Sequence, residues 1–465
     1  MKITATFFVF ILSSLTLFAQ DITGDWNGAL KVQGLQLRLV FHISKSETGL
    51  TATMDSPDQG VKGIPIPTTT FIDGNLHIEL PAARIIYNGA LKGTTIEGTF
   101  QQGGTEFPMN LSHNSISEQT FNRPQEPKEP FSYYTENITF TNSKEAITLA
   151  GTLTLPKKEG VFPVVILITG SGPQDRNEEL LGHKPFLVLA DYLTKNGIAV
   201  LRYDDRGVGQ SKGDFGKATT ADFATDVESA VAYLKTRKEI NSKKIGLLGH
   251  SEGGIIAPMV ANRSKDVAFI VLFAGTGIQG DQLLLLQQEL IAKAEGATPT
   301  ELKDSRTMNS YCFNKVLKSK DDVALKGELT TYLTGILKDT PKAQKPEGIT
   351  DEENAAKQVA QICSPWMLYF LRYNPATALS KVSCPVLAIN GDKDLQVPSK
   401  ENIEAIAKAL DKAGNKHVTT KIFPGLNHLF QDCTTGSPSE YTTIEETLSP
   451  AVLAFVSEWI VKTTK

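Results

Sequence analysis

The feature that most constrains this fold is a change in hydrophobic pattern near residue 135. Beyond it, short apolar runs alternate with segments in which apolar residues recur at helical spacing. This alternation is typical of a parallel sheet whose strands are joined by crossover helices, and an antiparallel hairpin is expected to lead into it. The predicted parallel strands are Val164–Ile168, Ala199–Tyr203, Ile245–Leu248, Ala268–Phe273, Val386–Ile389 and Val418–Phe423.

One interval, from about residue 280 to 380, interrupts the alternation. It contains no convincing strand, only helical stretches such as Asp281–Ala294 and Glu353–Tyr373. A length of about 100 residues is too great for a connecting loop in a compact domain. We therefore predict an α/β domain over residues 135–465 with a helical cap inserted at 280–380.

Residues 21–120 have a different pattern, in which short alternating apolar segments are separated by glycine and asparagine. About eight strands at this spacing would form a small all-β domain, a barrel or a sandwich, with Asp73-Gly74 as a hairpin turn. His42, His77 and His113 have no clustered carboxylates or cysteines beside them in sequence, so we expect them to be structural. Residues 121–134 contain prolines among charges and are predicted to be a linker.

The first 20 residues are typical of a signal peptide. Lys2 is followed by an apolar stretch from Phe7 to Phe18, and Ala19-Gln20 precedes a polar segment that starts at Asp21. The apolar stretch is shorter than the ~20 residues that a membrane-spanning helix needs. We expect cleavage, export to the periplasm or the medium, and no membrane span afterwards.

Composition excludes some classes of partner and cofactor. The formal net charge is −4 and the pI is about 6.1, so no basic field exists to hold nucleic acid. The four cysteines lack the short paired spacings of a structural zinc site, and we expect neither a metal nor another cofactor. If the chain is exported, disulfides Cys384–Cys433 or Cys312–Cys363 are chemically possible, but sequence does not decide the pairing.

The segment Gly249–Gly253, of sequence Gly-His-Ser-Glu-Gly, joins a predicted strand to a predicted helix. A sharp turn of this kind exposes the serine oxygen at its apex and needs glycine on both sides, because a larger side chain would collide with neighbouring backbone. A phosphate-binding glycine turn is the alternative, but no Lys-Ser/Thr ending supports it. We therefore predict that Ser251 is a catalytic nucleophile.

A serine nucleophile needs a base, and two histidines follow Ser251 well downstream. His417 precedes the last strand and would lie at the wrong end of the sheet. His428 follows that strand and would lie at the carboxyl edge, where Ser251 is also expected. We predict His428 as the base.

The base must be oriented by an acid, and two aspartates follow the strand Val386–Ile389. Asp392 comes directly after Gly391 and is interpreted as a turn residue. Asp394 lies deeper in the loop, from where it can reach across to His428. We prefer Asp394 as the third member of the triad.

The negatively charged oxygen of the reaction intermediate needs two backbone N–H donors. The amide of Glu252, directly after the nucleophile, is predicted to supply one. The loop after the strand Val164–Ile168 supplies the other, with Ser171 as the preferred donor and Gly172 next.

Together these motifs resemble the α/β-hydrolase superfamily. The resemblance rests on Gly249–Gly253, Gly391–Pro398 and Asn427-His428, and on Tyr203–Ser211, which resembles the superfamily's Asp-x-Arg-Gly-x-Gly-x-Ser loop. The segment Gly170–Arg176, with an exported β-rich leader and a helical cap, is similar to bacterial carboxylesterases described as serine aminopeptidase-like hydrolases. The resemblance implies an α/β-hydrolase fold over roughly residues 135–465.

This sequence departs from the superfamily's pattern at one position, and three charged residues of the resemblance are expected to have a structural role. Thr169 stands where many relatives carry histidine before the oxyanion glycine, which puts the shape of that loop in doubt. Asp204, Asp205 and Arg206 are expected to brace the loops structurally.

The favoured function is a secreted serine esterase that acts through an acyl-enzyme on small-molecule carboxylic esters of short to medium acyl chains. We expect the cap to act as a lid and to set substrate choice, with Gly172, Trp366 and Met367 in substrate binding. Two alternatives remain open: a serine aminopeptidase or iminopeptidase with the same triad, and a glycan- or partner-binding protein acting through the β domain. An aminopeptidase would need a carboxylate for the substrate ammonium, and the first candidates are Glu289, Glu295 and Asp304.

Overall fold

The computed structural model describes residues 21–32, 35–47, 49–59, 61–103, 105–117, 120–341, 345 and 349–465. The predicted signal peptide lies outside these residues. Among the described residues, no helix has both the length and the apolar character that a bilayer span requires. The described residues up to 117 form one compact unit, and nearly all those from Thr120 on form a second.

In its described residues the N-terminal unit is a single antiparallel sheet of ten strands, β1 to β10, that curls into a nearly closed barrel. Its spatial order is β4-β3-β2-β1-β10-β8-β7-β6-β5, with β9 paired to β8. This confirms the predicted all-β class, with two strands more than expected. The strands are β1 Gly24–Val32, β2 Leu35–Ser46, β3 Gly49–Ser56, β4 Val61–Ile66, β5 Thr68–Ile72, β6 Asn75–Leu80, β7 Ile85–Lys92, β8 Thr95–Gln102, β9 Thr105–Pro108 and β10 Leu111–Ser112.

Strict alternation builds the barrel interior. In β6 the buried residues are Leu76, Ile78 and Leu80, and the residues between them are more accessible. Asp73 and Gly74, between β5 and β6, have φ of 49° and 79°, the backbone of the tight hairpin turn that the sequence predicts.

The aromatic side chains of the barrel give little support to a glycan-binding role. Trp26 is only 1% exposed, and among the described residues none of the large exposed hydrophobic side chains is aromatic. A sugar-stacking platform would need such side chains at the surface.

The C-terminal unit contains an eight-stranded sheet in the order β11-β12-β14-β13-β15-β16-β17-β18. The first two strands form the antiparallel hairpin, and β13 to β18 pair in parallel. This is the strand order of the α/β-hydrolase fold, and the predicted fold class is confirmed. The strands are β11 Tyr134–Asn142, β12 Ile147–Leu155, β13 Phe162–Ile168, β14 Ala199–Tyr203, β15 Ile240–His250, β16 Val267–Phe273, β17 Val386–Gly391 and β18 Val418–Phe423.

Helices cover both faces of this sheet, as its strands, apolar on both sides, require. One apolar core forms under α2, α3 and α10, and a second forms under α1 and α11. The bounds are α1 Pro185–Lys195, α2 Thr220–Lys235, α3 Gly253–Arg263, α10 Ser399–Lys412 and α11 Pro450–Thr463.

Among the described residues between β16 and β17 lie six further helices, which we call the cap. They are α4 Gly280–Ala294, α5 Pro299–Lys318, α6 Asp322–Asp339, α7 Asp351–Ile362, α8 Pro365–Arg372 and α9 Ala376–Leu379. The predicted helical stretch 353–373 is divided into α7 and α8, because Pro365 cannot continue a helix and instead starts the next one with Ser364 as its N-cap.

Most of the cap packs around a core of its own. Phe313, Leu329 and Val359 belong to this core, together with Cys312 and Cys363. All four cysteines are free thiols in the structure, so neither possible disulfide is present.

One histidine of the barrel lies between two carboxylates. His42 Nδ1 is 2.6 Å from Asp25 Oδ1, and its Nε2 is 3.2 Å from Asp55 Oδ2. The hydrogen bond to Asp25, followed by that to Asp55, raises the pKa of His42 above its ordinary value. A raised pKa in the folded state stabilises the fold below the unfolded pKa, and this stabilisation is lost as pH rises through the folded pKa.

We therefore expect His42→Gln to weaken the barrel more at about pH 5.5 than at about pH 8.5, because only the protonated ring forms both ion pairs. Hydrogen–deuterium exchange of peptides from β1 to β3, compared with wild type at each pH, measures this. His113→Gln is the control, since the His113 ring bonds a backbone carbonyl, that of Asp25. A His42 effect that does not depend on pH would contradict the assignment.

Candidate active site

Ser251 lies at the apex of a tight turn between β15 and α3. Its φ is +52°, a strained conformation for a residue with a side chain, and its N–H donates to Phe273 O at 2.9 Å. A Cβ on Gly249 would lie 1.9 Å from Gly253 O, and one on Gly253 would lie 2.3 Å from Ile168 O. Glycine is therefore required at both positions, as the sequence analysis expects of this turn.

His428 and Asp394 meet in the loops after β18 and β17. His428 Nδ1 lies 2.8 Å from Asp394 Oδ2, and both side chains are almost inaccessible. The other carboxylate oxygen accepts the N–H groups of Gln396 and Val397, each at 2.8 Å, which fixes its orientation. Because an ionised carboxylate only accepts, Nδ1 carries the proton and Nε2 is left as the basic nitrogen.

The two rejected residues lie elsewhere. The exposed Asp392 accepts a hydrogen bond from the N–H of Gly425 at 2.7 Å and so holds the turn after β18. His417 precedes β18, where its carbonyl accepts from Val386 N–H at 2.9 Å, at the amino end of the parallel strands.

The loop after β13, residues 169–176, is held by carboxylates. Thr169 Oγ1 donates to Asp205 at 2.8 Å, and Gln174 N–H donates to the same carboxylate at 3.1 Å. Asp204 accepts the backbone N–H and the guanidinium of Arg176 at 2.7–2.9 Å. Thr169 therefore anchors the loop through its hydroxyl, which resolves the question raised by the absence of histidine there.

Burial acts in the same direction on these two aspartates, but the net shift of the pKa differs between them. It raises the pKa of Asp205 well above its ordinary value, and the hydrogen bonds to its carboxylate only partly offset this. It also opposes ionisation of Asp204, but the bonds from Arg176 lower the pKa of Asp204 overall. Arg206, the third expected bracing residue, pairs with Asp226 at 2.8 Å instead of with this loop.

A buried pair, Glu178 and His250, also holds the loop after β13, and it was not predicted from the sequence. Glu178 Oε1 accepts the N–H of Gly170 at 2.6 Å and lies 2.9 Å from His250 Nδ1. His250 Nε2 lies 3.2 Å from the carbonyl of His428. Burial alone would lower the pKa of His250, but the Glu178 carboxylate outweighs it and raises the pKa. The position of His250 beside the nucleophile was the one signal for this pair, since Glu178 is 72 residues away.

With the Gly170 amide occupied, other backbone N–H groups of the loop after β13 and of the turn at Ser251 remain without a partner among the described residues. The N–H groups of Ser171 and Glu252 have no hydrogen-bond partner among the described residues. These are the two amides that the sequence analysis selected. Gly172, at φ +101°, follows Ser171 in the same loop.

Ser251, His428, Ser171 and Glu252 all line one cavity of about 170 Å³. Its apolar wall includes residues of the cap, of the loop after β13 and of the loop after β18: Leu180, Leu283, Leu284, Trp366, Phe370 and Leu429.

Two predicted substrate-binding residues do not line this cavity. Met367 packs against the cap core, because it lies one position further round α8 than Trp366. Gly172 is likewise absent from the lining, whereas Ser171 and Gln174 on either side of it are present.

The predicted ammonium anchors also lie away from this cavity. Glu289 pairs with Arg306, and Glu295 accepts from Ser437 Oγ at 3.4 Å. Asp304 is exposed on α5. Within the described ranges, no three acidic, histidine or cysteine side chains are placed to share a metal ion.

Two families match the C-terminal unit. The serine aminopeptidase S33 family matches residues 184–328, and the prolyl oligopeptidase family matches residues 358–460. Together they span the nucleophile turn, most of the cap and the loops that carry Asp394 and His428.

Individual proteins are similar over parts of the chain. Esterase EstD of Thermotoga maritima is 28% identical over 316 residues, which cover 68% of this chain and 66% of the relative, slightly under two thirds of its length. Mitochondrial acyl-coenzyme A thioesterase 2 of Mus musculus is 31% identical over 127 residues, 27% of this chain and 24% of the relative. The solved structure of the Pyrococcus furiosus esterase Pf2001 has 15% identity and a TM-score of 0.43, covering 75% of this chain and 100% of that one.

The strand order β11-β12-β14-β13-β15-β16-β17-β18, the glycine-flanked turn at Ser251 and the two family matches agree with one another. The C-terminal unit of this chain has the α/β-hydrolase fold, and parts of it match two families of that fold.

Proposed function

We propose that this protein is a serine esterase that hydrolyses small carboxylic esters through an acyl-enzyme. The observation that carries the proposal is the convergence on one cavity of Ser251, the His428–Asp394 pair and two unpartnered backbone N–H groups. Each of these groups has a distinct part in acyl transfer.

In the first half of the reaction, Ser251 Oγ attacks the ester carbonyl carbon as His428 Nε2 takes its proton. The carbonyl oxygen becomes an oxyanion and accepts the N–H groups of Ser171 and Glu252. Asp394 stabilises the imidazolium, which then donates its proton to the departing alcohol. Water then attacks the acyl-enzyme with His428 again as the base, and the carboxylic acid is released as Ser251 regains its proton.

The size and the lining of the cavity favour a substrate with a short to medium acyl group. Its volume of about 170 Å³ is below the roughly 300–1,000 Å³ of pockets that hold drug-sized ligands. Leu283, Leu284 and Phe370 offer the apolar contact that an acyl chain needs.

Ester hydrolysis is favoured over aminopeptidase activity by the state of the cavity's carboxylates. Only Glu178 and Glu252, among the described acidic residues, line the cavity. Glu178 is paired with His250, and Glu252 accepts hydrogen bonds from Ser171, Thr220 and Trp366. Both carboxylates already have hydrogen-bond partners, so neither is free to bind the ammonium group of a peptide substrate. A peptidase is the second candidate function, because one matching family is the serine aminopeptidase S33 family.

Ser251→Ala and His428→Ala should each lower kcat for a short-chain nitrophenyl ester by about 10³-fold or more, because nucleophile and base act as one unit. Steady-state kinetics on the full chain measure this loss. Labelling by a fluorophosphonate probe should disappear in Ser251→Ala. Equal labelling of this variant and wild type would assign the nucleophile to another residue.

Asp394→Asn should keep the fold and lower kcat by several orders of magnitude, because a side-chain amide at this position no longer imposes the tautomer that leaves Nε2 basic. Asp392→Asn is the matched control and should cost far less, since Asp392 holds only the Gly425 amide. Kinetics and circular dichroism on both variants test this. The reverse ranking would transfer the role to Asp392.

The value of kcat/KM should be much higher for ester substrates than for amide substrates. We expect kcat/KM for a short-chain nitrophenyl ester to be at least ~10²-fold above that for any aminoacyl-nitroanilide, about 2.7 kcal/mol of transition-state stabilisation. Both rates must be corrected for the residual rate of Ser251→Ala, because activated esters are intrinsically easier to cleave. Comparable amide turnover would favour the aminopeptidase instead.

A further inference from the structure

The carboxylate of Glu252 is buried beside the nucleophile without a cationic partner. The residue is 2% exposed, and no Lys, Arg or His within the described ranges forms an ion pair with it. Burial raises the pKa of this carboxyl, while its hydrogen-bond donors act in the opposite direction. Burying a carboxyl without a cationic partner costs free energy of folding. The hydrogen bonds that its oxygens accept offset part of this cost.

The donors come from three separate elements. Ser171 Oγ, in the loop after β13, donates to Oε2 at 2.8 Å, and Thr220 Oγ1, at the start of α2, donates to Oε1 at 2.6 Å. Trp366 Nε1, on cap helix α8, bridges both oxygens at 2.8 and 3.0 Å. The carboxylate thus joins the cap to the loop that carries one of the two oxyanion donors.

Only a carboxylate can accept all of these bonds at once. The indole N–H of Trp366 can only donate, and it contacts both oxygens. A glutamine at position 252 would place an NH₂ group where one of the two oxygens now lies. Because NH₂ does not accept a hydrogen bond, the contact of that atom with Trp366 Nε1 would be lost. The bridge as observed therefore requires a carboxylate at position 252 and an N–H donor at position 366.

We propose that Glu252 is a positioning residue that couples the cap to the oxyanion hole. Its own N–H and that of Ser171 are the two oxyanion donors, and its side chain fixes Ser171 relative to Trp366. The proposal rests on the serine esterase function, and it assigns to a cap residue an effect on transition-state stabilisation as well as on pocket shape. A wall residue that only contacted the acyl group would affect binding of substrate and transition state alike.

The test is a double-mutant cycle between Trp366 and Ser171 in the full chain. Trp366→Phe removes the indole N–H and keeps an aromatic wall, and Ser171→Ala removes the hydroxyl and keeps the backbone donor. Each should lower kcat roughly ten-fold with a smaller change in KM, the size expected for one hydrogen bond to a charged group. The double variant should lose much less than the product of the two, because both act through one carboxylate.

Trp459→Phe is the matched control. It also removes an indole hydrogen bond, to Thr419 Oγ1 at 3.2 Å, but on α11, away from the cavity. Its kcat and KM should equal those of wild type. Glu252→Gln, which loses one Trp366 contact, should lower kcat by no more than Trp366→Phe does.

A second readout separates this proposal from the esterase function. Hydrogen–deuterium exchange of the segment 169–176 should be faster in Trp366→Phe and in Glu252→Gln than in wild type or Trp459→Phe, whether or not the protein cleaves esters. Unchanged exchange there, or losses that multiply in the double variant, would overturn the coupling. Absence of Ser251-dependent ester turnover with faster exchange would overturn the esterase function and leave the coupling intact.

Discussion

The site depends on a steric constraint where strand β15 enters helix α3. The missing side chains of Gly249 and Gly253 let α3 approach the end of β15 and the carbonyl of Ile168 at the end of β13. This contact brings the loop after β13, which contains Ser171, close to the turn that carries Ser251 and Glu252. The strained φ of Ser251 is held by this packing and by the bond from its own N–H to Phe273.

Around that contact, acidic side chains replace regular secondary structure as the means of fixing the backbone. Residues 169–176 belong to no helix or strand, so their amides have no ladder to join. Asp204, Asp205 and Glu178 accept N–H groups of this segment, and Glu252 accepts a hydroxyl. Several buried carboxyls close to one another are electrostatically unfavourable, and the donors that surround each of them reduce this cost.

Sequence reasoning predicted the sheet and the three triad candidates because these follow from local signals. A glycine-flanked serine after an apolar strand, and an aspartate and a histidine after later strands, must meet at one edge of a parallel sheet. Glu178 was not predicted, because its partner His250 is distant in sequence and no spacing rule links them. The cap contacts were predicted only in part: helical periodicity shows that α8 has an apolar face, but whether Trp366 or Met367 meets the cavity depends on how the helix is rotated.

The cap's separate apolar core has an evolutionary consequence. Because Phe313, Leu329 and Val359 pack mainly with other cap residues, substitutions there leave the sheet undisturbed. The sequence of this core can thus change while the sheet and the loops at its carboxyl edge stay the same. Other cap residues are tied to the sheet: Leu283 and Phe370 pack into the sheet's own apolar core, and Trp366 donates a hydrogen bond to Glu252, next to Ser251. A cap taken from another protein would have to supply equivalent contacts.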